Sequence, residues 1–180
     1  MAQHLRGKCS ATGRAPVMLV VRPMSEPATP DSKVLFRVEE DDGSAQVETL
    51  WATNLGNDRY KLDNSPFYAY SVSWEDIVYA PVDRDEERPT FERVISKSGN
   101  RTVRVVFNSP AEKGNASGDI LQALVTLGCS YEGATKTYVA INIPPDVKLE
   151  AVRTFLIDSG ATWEHADPTY TELFPENSDL

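Results

Sequence analysis

The sequence predicts an α+β protein in two parts: a small SH3-like β-barrel or curled sheet, followed by a ferredoxin-like βαββαβ sandwich. Three observations carry that expectation. Residues 33–98 hold short β-branched and aromatic runs broken by turn residues, with no helical period. A strand–helix–strand pattern then occurs twice over residues 99–168. The two copies also share a phrase, because Gly128-Cys129-Ser130-Tyr131-Glu132 is echoed by Gly160-Ala161-Thr162-Trp163-Glu164 after each amphipathic stretch.

Residues 1–32 contain Pro16, Pro23, Pro27 and Pro30, show no sustained period, and are expected to form a flexible arm. From Lys33, Val34, Phe36 and Val38 alternate with Leu35, Arg37 and Glu39, the period of a half-buried strand. After the turn at Asp41-Asp42-Gly43-Ser44, Val47, Thr49 and Trp51 continue on a partner strand. Gly56 and Asn57 mark the next turn, before a short strand over Arg59–Leu62. Residues 63–74 read as an aromatic-rich loop, Ile77–Ala80 as a strand, and Asp83–Pro89 as a charged loop. Phe91–Lys97 and Arg101–Asn108 are strands joined by a turn at Ser98-Gly99-Asn100. Closing these strands into a barrel would remove their open edges.

Asn115 or Ser117 can cap a helix whose face is Ile120, Leu121, Leu124, Val125 and Leu127, with Gly128 at its left-handed end. Cys129 then opens a strand expected to be buried, and Thr137–Ile143 form the next. Pro144-Pro145-Asp146 stop that strand and open a second helix that buries Val147, Leu149, Val152, Phe155 and Leu156 and ends at Gly160. Trp163 lies on the last strand, and residues 169–180 form an acidic tail.

The chain has 180 residues, 41% of them hydrophobic and 25% charged, which suits one large domain or two small ones. No apolar run approaches the ~18 residues of a membrane helix, and the run Val17–Val21 is short for a signal peptide. Cys9 and Cys129 make no disulfide framework, so a cytoplasmic protein with free thiols is expected. His4 and His165 are the only histidines, and neither a metal site nor a cofactor is expected. The net charge is −9, and Glu164–Leu180 carry five acids and no base. So acidic a body repels a phosphate backbone and favours a basic protein partner over nucleic acid. Arg93, Lys97, Arg101 and Arg104 are the exception, a basic cluster around one hairpin.

No catalytic set emerges. G-x-S-x-G and G-x-G-x-x-G are absent, and His165, close to Asp167, falls near a strand end where an exposed tip is the expectation. The acidic runs Glu39–Asp42 and Asp85–Glu87 read as solvated turns. Loop Pro66-Phe67-Tyr68-Ala69-Tyr70, with Trp51 and Trp74, is the strongest candidate binding surface, since aromatics give large contact areas at small entropy cost. Glu75 and Asp76, flanked by Trp74 and Ile77, complete the candidate binding residues Trp51, Phe67, Tyr68, Tyr70, Trp74, Glu75 and Asp76.

Four segments carry a resemblance. They are Val47–Ala52, Tyr60–Phe67, Glu75–Val78 and Ser98–Arg104. In that order they are similar to the V-E-x-L-W-A, N-x-P-F, G-D-x-V and S-G-x-x-T-x-R motifs of a bacterial domain-of-unknown-function family, over about residues 33–165. Glu75 departs from the pattern, standing where such proteins tend to carry Gly. The resemblance implies no activity and no catalytic residues.

The expectation is therefore a non-catalytic bacterial binding protein, in its most specific form an acidic, immunity-like inhibitor of a basic protein. The alternative is a small-molecule-sensing module using a cleft between the two halves, lined by Trp51, Phe67 and Trp74; an enzyme or an RNA-binding protein ranks below both.

Overall fold

A computed structural model of the chain describes residues 29–39, 43 and 45–177. Among them lie two principal antiparallel sheets, one small hairpin and three α-helices, an α+β architecture. Of the arm expected over residues 1–32, residues 1–28 fall outside the described residues; Asp31 already donates its N–H to Ala52 O at 3.2 Å.

The first sheet runs β1 (Ser32–Glu39), β2 (Ala45–Gly56), β3 (Arg59–Leu62), β4 (Ile77–Tyr79) and β7 (Arg93–Ser96), paired in that order. A two-residue hairpin, β5 (Val82–Asp83) with β6 (Arg88–Pro89), leaves the sheet between β4 and β7. The expected barrel does not close. The backbone of β1 bonds the chain ahead of β7 at Leu35, through one bridge to Thr90 and the Phe91 N–H donated to Leu35 O at 2.8 Å, so the sheet curls without a ladder between its edges. Leu35 is buried, although simple alternation along β1 assigns it to solvent. Phe36 stacks on Phe91 at 4.6 Å, and Ala69 and Val72 of the long β3–β4 connection fill the concave side beside Leu50 and Leu62.

The second sheet contains β8 (Arg101–Val106), β9 (Ser130–Gly133), β10 (Tyr138–Ile143) and β11 (Thr162–Asp167), in the spatial order β11-β8-β10-β9. Helix α1 (Ala116–Thr126) links β8 to β9, and α2 (Leu149–Ser159) links β10 to β11. Their apolar residues, Leu121 and Leu124 with Val152 and Leu156, pack on Val103, Val105, Val139 and Ile141. Each of these side chains contributes about 1.5–3 kcal/mol by burial.

Asn115 caps α1 by accepting the Gly118 N–H at 2.8 Å. The second helix starts at Leu149, later than the Pro-Pro sequence suggests, because Arg101 Nη2 holds the carbonyls of Pro144 (2.7 Å) and Val147 (2.6 Å) in a separate turn. The repeated glycines do the same job twice: Gly128 at φ +101° and Gly160 at φ +67° end the helices in left-handed backbone. Cys129 is buried, but the strand after it is an exposed edge, not the buried strand expected.

Of the stretch expected as an acidic tail, residues 169–177 carry α3 (Tyr170–Leu173) and a 3-10 turn at Pro175–Asn177, and residues 178–180 fall outside the described residues. Thr169 and Glu172 close a capping box on α3. No helix among the described residues is long and apolar enough to cross a membrane.

Candidate functional site

The helices cover one face of the second sheet. The other face meets the β3–β4 connection, residues 63–76, and the four sequence segments noted above converge on this loop. Glu48, 7% exposed, accepts the N–H groups of Phe67 (2.6 Å), Tyr68 (3.0 Å) and Ala69 (2.8 Å). Asn64 accepts the Trp51 N–H at 2.7 Å. Asp76 accepts the N–H groups of Ser73 (2.9 Å) and Ser98 (2.7 Å), while Ser98 Oγ donates to Trp74 O at 2.7 Å. A loop this long would otherwise leave buried amides unpaired, and buried carboxylates are the strongest available acceptors for them.

Asp76 also belongs to a converging ionic group. Lys97 Nζ lies 3.1 Å from Asp76 and 2.8 Å from both Asp167 oxygens, and donates to Ser71 O at 2.7 Å. Ser73 Oγ donates to Asp167 at 2.6 Å and sits 2.9 Å from Thr102 Oγ1. Serine, lysine and two carboxylates in contact have the makings of a nucleophilic centre. Here the serine is fully buried, the ammonium is surrounded by acceptors, and none of the cavities described below is lined by Ser73, Asp76, Lys97 or Asp167. The group is a clasp between loop, β8 and β11.

A single cross-strand row completes the clamp. Glu132, Ala140, Arg104 and Glu164 are register partners across all four strands of the second sheet and so share its loop-facing side. Arg104 is 1% exposed; it donates to the carbonyls of Ala69 and Pro66 and to Glu164 Oε1 at 3.1 Å, and its guanidinium lies 4.4 Å from the centre of the Tyr70 ring. The Tyr70 hydroxyl donates to Glu164 Oε2 at 3.0 Å; burial first, and that carboxylate next, raise its pKa. Tyr138 donates to Phe67 O at 2.5 Å, and burial pushes its hydroxyl up to about 12. At the far edge Glu132 accepts the Ser65 N–H at 2.7 Å.

Three adjoining cavities open along this seam. The largest, about 650 Å³, lies around β11 between α2, α3 and Tyr70. Ile157, Trp163 and Tyr170 provide apolar walls, and Arg153, Glu164 and His165 the charged or titratable groups. The other two, of about 330 and 410 Å³, share Arg104, Tyr138 and Glu164. A further cavity of about 650 Å³ lies beside the start of α1, lined by loop residues such as Glu112 and Lys113.

His165 sets the β11 cavity apart. It is the partner of Val103 in β11, on the helix side of the sheet, and is 7% exposed, correcting the expectation of an exposed tip. Both ring nitrogens are buried without a hydrogen-bond partner, and so is Nε of Arg153. Burial, and then the nearby Arg153 charge, lower the imidazole pKa, with Glu150 opposing. Trp163 meets the imidazole edge-on at 4.8 Å.

Of the residues singled out from sequence, Tyr70 lines the β11 cavity, and Tyr68 and Tyr70 both line the 330 Å³ one. Trp51 is half exposed beneath Lys33, whose Nζ lies 4.2 Å from its ring centre; Phe67 is held by Glu48 and Tyr138. Trp74 is half-buried with Nε1 unpartnered, Glu75 pairs with Lys61 at 3.3 Å, and Asp76 is fully buried. Trp51, Phe67 and Trp74, expected to line a cleft, line none of these cavities. Sequence reasoning missed Arg153 altogether. It noticed Arg104 only as a base and His165 only as a tip, although two-residue alternation from Trp163 puts His165 on the same side as that ring.

A family model for a Domain of unknown function (DUF4265) matches residues 48–165. The chain belongs to that family. The match opens on Glu48 and closes on His165, so it spans the loop, the four-residue row and most of the β11 cavity. The chain is also similar to a solved structure described as a hypothetical protein from Neisseria gonorrhoeae, with 18% identity and a TM-score of 0.66 over 81% of this chain and 99% of that one. At that identity the likeness is one of fold. No curated protein matches.

Proposed function

We propose that this protein is a non-catalytic binding module that takes a small molecule into the cavity around β11. The observation that carries the reading is an indentation of about 650 Å³ bordered by His165, a buried group with neither nitrogen satisfied. Ligand pockets commonly fall between ~300 and 1,000 Å³ and combine apolar walls with a few polar groups. Leaving a buried donor or acceptor unpaired costs about 1–3 kcal/mol, and a site that binds a ligand is one setting in which such groups persist.

A thermal-shift screen against metabolites tests this. Occupancy at about 100 times Kd adds ~2.7 kcal/mol, which for a chain of this length is a rise of roughly 5–10 °C. Ile157→Glu, at an exposed wall position, should abolish the response. A screen in which wild type and Ile157→Glu respond alike to every compound would count against the reading.

A second reading, an acidic partner for a basic protein, is favoured by the internal use of cations. Lys97, Arg101 and Arg104, which the sequence offers as a basic cluster, are all bonded to loop carbonyls or carboxylates, so they form no open basic patch to oppose the net charge of −9. Pull-down at low and high salt tests it: a basic protein released by salt supports the idea, and recovery of nothing at low salt sinks it.

The strand order β11-β8-β10-β9 supports a ferredoxin-like assignment for the second half, and the curl of the first sheet at Leu35 supports an SH3-like arrangement for the other. The free, buried Cys129 thiol, raised to about 11 by burial, supports a reducing, cytoplasmic setting.

A further inference from the structure

The polar groups bordering the β11 cavity define a ligand class, an inference that rests on the small-molecule reading. Its one lining acid, Glu164, and the flanking acids Glu172 and Glu150 are already bonded. Glu164 uses one oxygen on Arg104 and the other on the Tyr70 hydroxyl. Glu172 spends its oxygens on Ser71 Oγ and on the Thr169 N–H and hydroxyl. Glu150 contacts Arg153 through a single oxygen at 2.6 Å and has a side chain 73% exposed, so it is the one acid here that can swing aside.

The donors, in contrast, are in surplus. Arg153 offers five N–H groups and carries a buried Nε with no acceptor. His165, neutral in its desolvated setting, has one N–H with no acceptor. The remaining walls, Trp163, Ile157 and Tyr170, are apolar or aromatic.

We infer that the cavity binds a small organic carboxylate with an aromatic or branched apolar body, its carboxylate replacing Glu150 on Arg153 and its body lying against Trp163 and Ile157. An uncharged ligand would offer the guanidinium only a weaker, neutral acceptor, and an organic cation would meet Arg153 with like charge. The planar guanidinium fork suits a carboxylate, which can accept two parallel N–H bonds.

The experiment uses the full chain with phenylacetate and indole-3-acetate as probes, and the corresponding amides as uncharged controls. His4 and His165 are the only histidines, so the buried imidazole gives an assignable side-chain NMR signal. The acids should move that signal saturably, with a Kd at least about tenfold below that of their amides. Arg153→Met should erase the acid preference and Arg153→Lys should keep part of it.

Equal binding of acids and amides to the wild-type protein, unchanged in Arg153→Met, would overturn the carboxylate assignment while leaving a small-molecule cavity in place. No shift of the His165 signal with any probe up to about 10 mM would overturn both. The wild-type comparison of acid with amide decides the matter even if a variant at Arg153 folds poorly.

Discussion

Replacing Glu48 tests the claim that the long loop is held by buried carboxylates. Its two oxygens accept three backbone N–H groups, at 2.6, 3.0 and 2.8 Å. Hydrogen bonds to a charged acceptor are worth about 1.5–3 kcal/mol each, so independent loss of all three would remove about 4.5–9 kcal/mol. They are not independent, since one side chain makes them all, and Tyr68 is 39% exposed, so water can reach part of the freed backbone. A loss of about 3–5 kcal/mol is expected for Glu48→Ala, and roughly 2–3 for Glu48→Gln, which keeps one acceptor oxygen. Against a total of about 5–15 kcal/mol this is severe. Urea unfolding followed by tryptophan fluorescence measures it, and amide exchange at Phe67, Tyr68 and Ala69 reports the loop directly. A Glu48→Ala protein within about 1 kcal/mol of wild type, with those amides still protected, would refute the reasoning.

Lys97→Met strands two carboxylates, Asp76 (0% exposed) and Asp167 (6%), and should cost about 2–3 kcal/mol in urea unfolding, the usual loss for a broken buried pair discounted because the lysine is half exposed. Asp167→Asn in that background should restore part of the loss; no restoration would argue against shared electrostatics. Glu75→Gly should raise the melting temperature by about 1–2 °C: at φ +64° a residue with a side chain bears ~1–2 kcal/mol of strain, partly offset by glycine's extra unfolded-state entropy and the lost Lys61 pair. A fall in melting temperature would contradict this. His165 binds a proton less readily in the folded than in the unfolded chain, so its contribution to stability is complete above its ordinary pKa of 6.5 and is lost as pH falls from there toward the lowered folded value. His165→Leu should flatten stability across that window, with Arg153 and Glu150 unchanged, and an unaltered pH profile would dismiss the idea.

Most elements were legible because their signals are local. Gly128 and Gly160 mark left-handed helix ends, and Asn115 is followed at three residues by the amide it caps. What the sequence concealed depends on contacts distant in the chain. Leu35 is buried although alternation assigns it to solvent, and its carbonyl accepts from Phe91, 56 positions away, a contact that also shows how the first sheet curls without closing. The candidate aromatics scattered for a related reason. Their enrichment near the loop is real, but Phe67 and Trp74 are bound into the clamp, and Tyr70 alone reaches the β11 cavity. Arg104 shows the limit most clearly. In sequence it is one base of a cluster, and only the pairing of β8 with β10 and β11 puts it under the loop.

The echoed phrase in the second half explains how the two edges of the sheet come to differ around His165. Glu132 and Glu164, the last residues of the two copies, fall in one row at opposite edges, and each grips the same loop, one through Ser65 and the other through Arg104 and Tyr70. To that point the copies are equivalent. The chain after Glu132 turns at once, Gly133 ending β9, whereas the chain after Glu164 continues as strand through His165, Ala166 and Asp167. Those three residues, against the single Gly133 of β9, bring His165 beneath α2, give Lys97 its carboxylate at Asp167, and carry the chain far enough for α3 to fold back beside Trp163. The clamp is thus common to both edges, and the cavity that His165 borders lies at the edge where the strand runs on. Because Glu164 stands in both, bonded to Arg104 inside the clamp and bordering the cavity, the loop and the cavity are joined through one carboxylate.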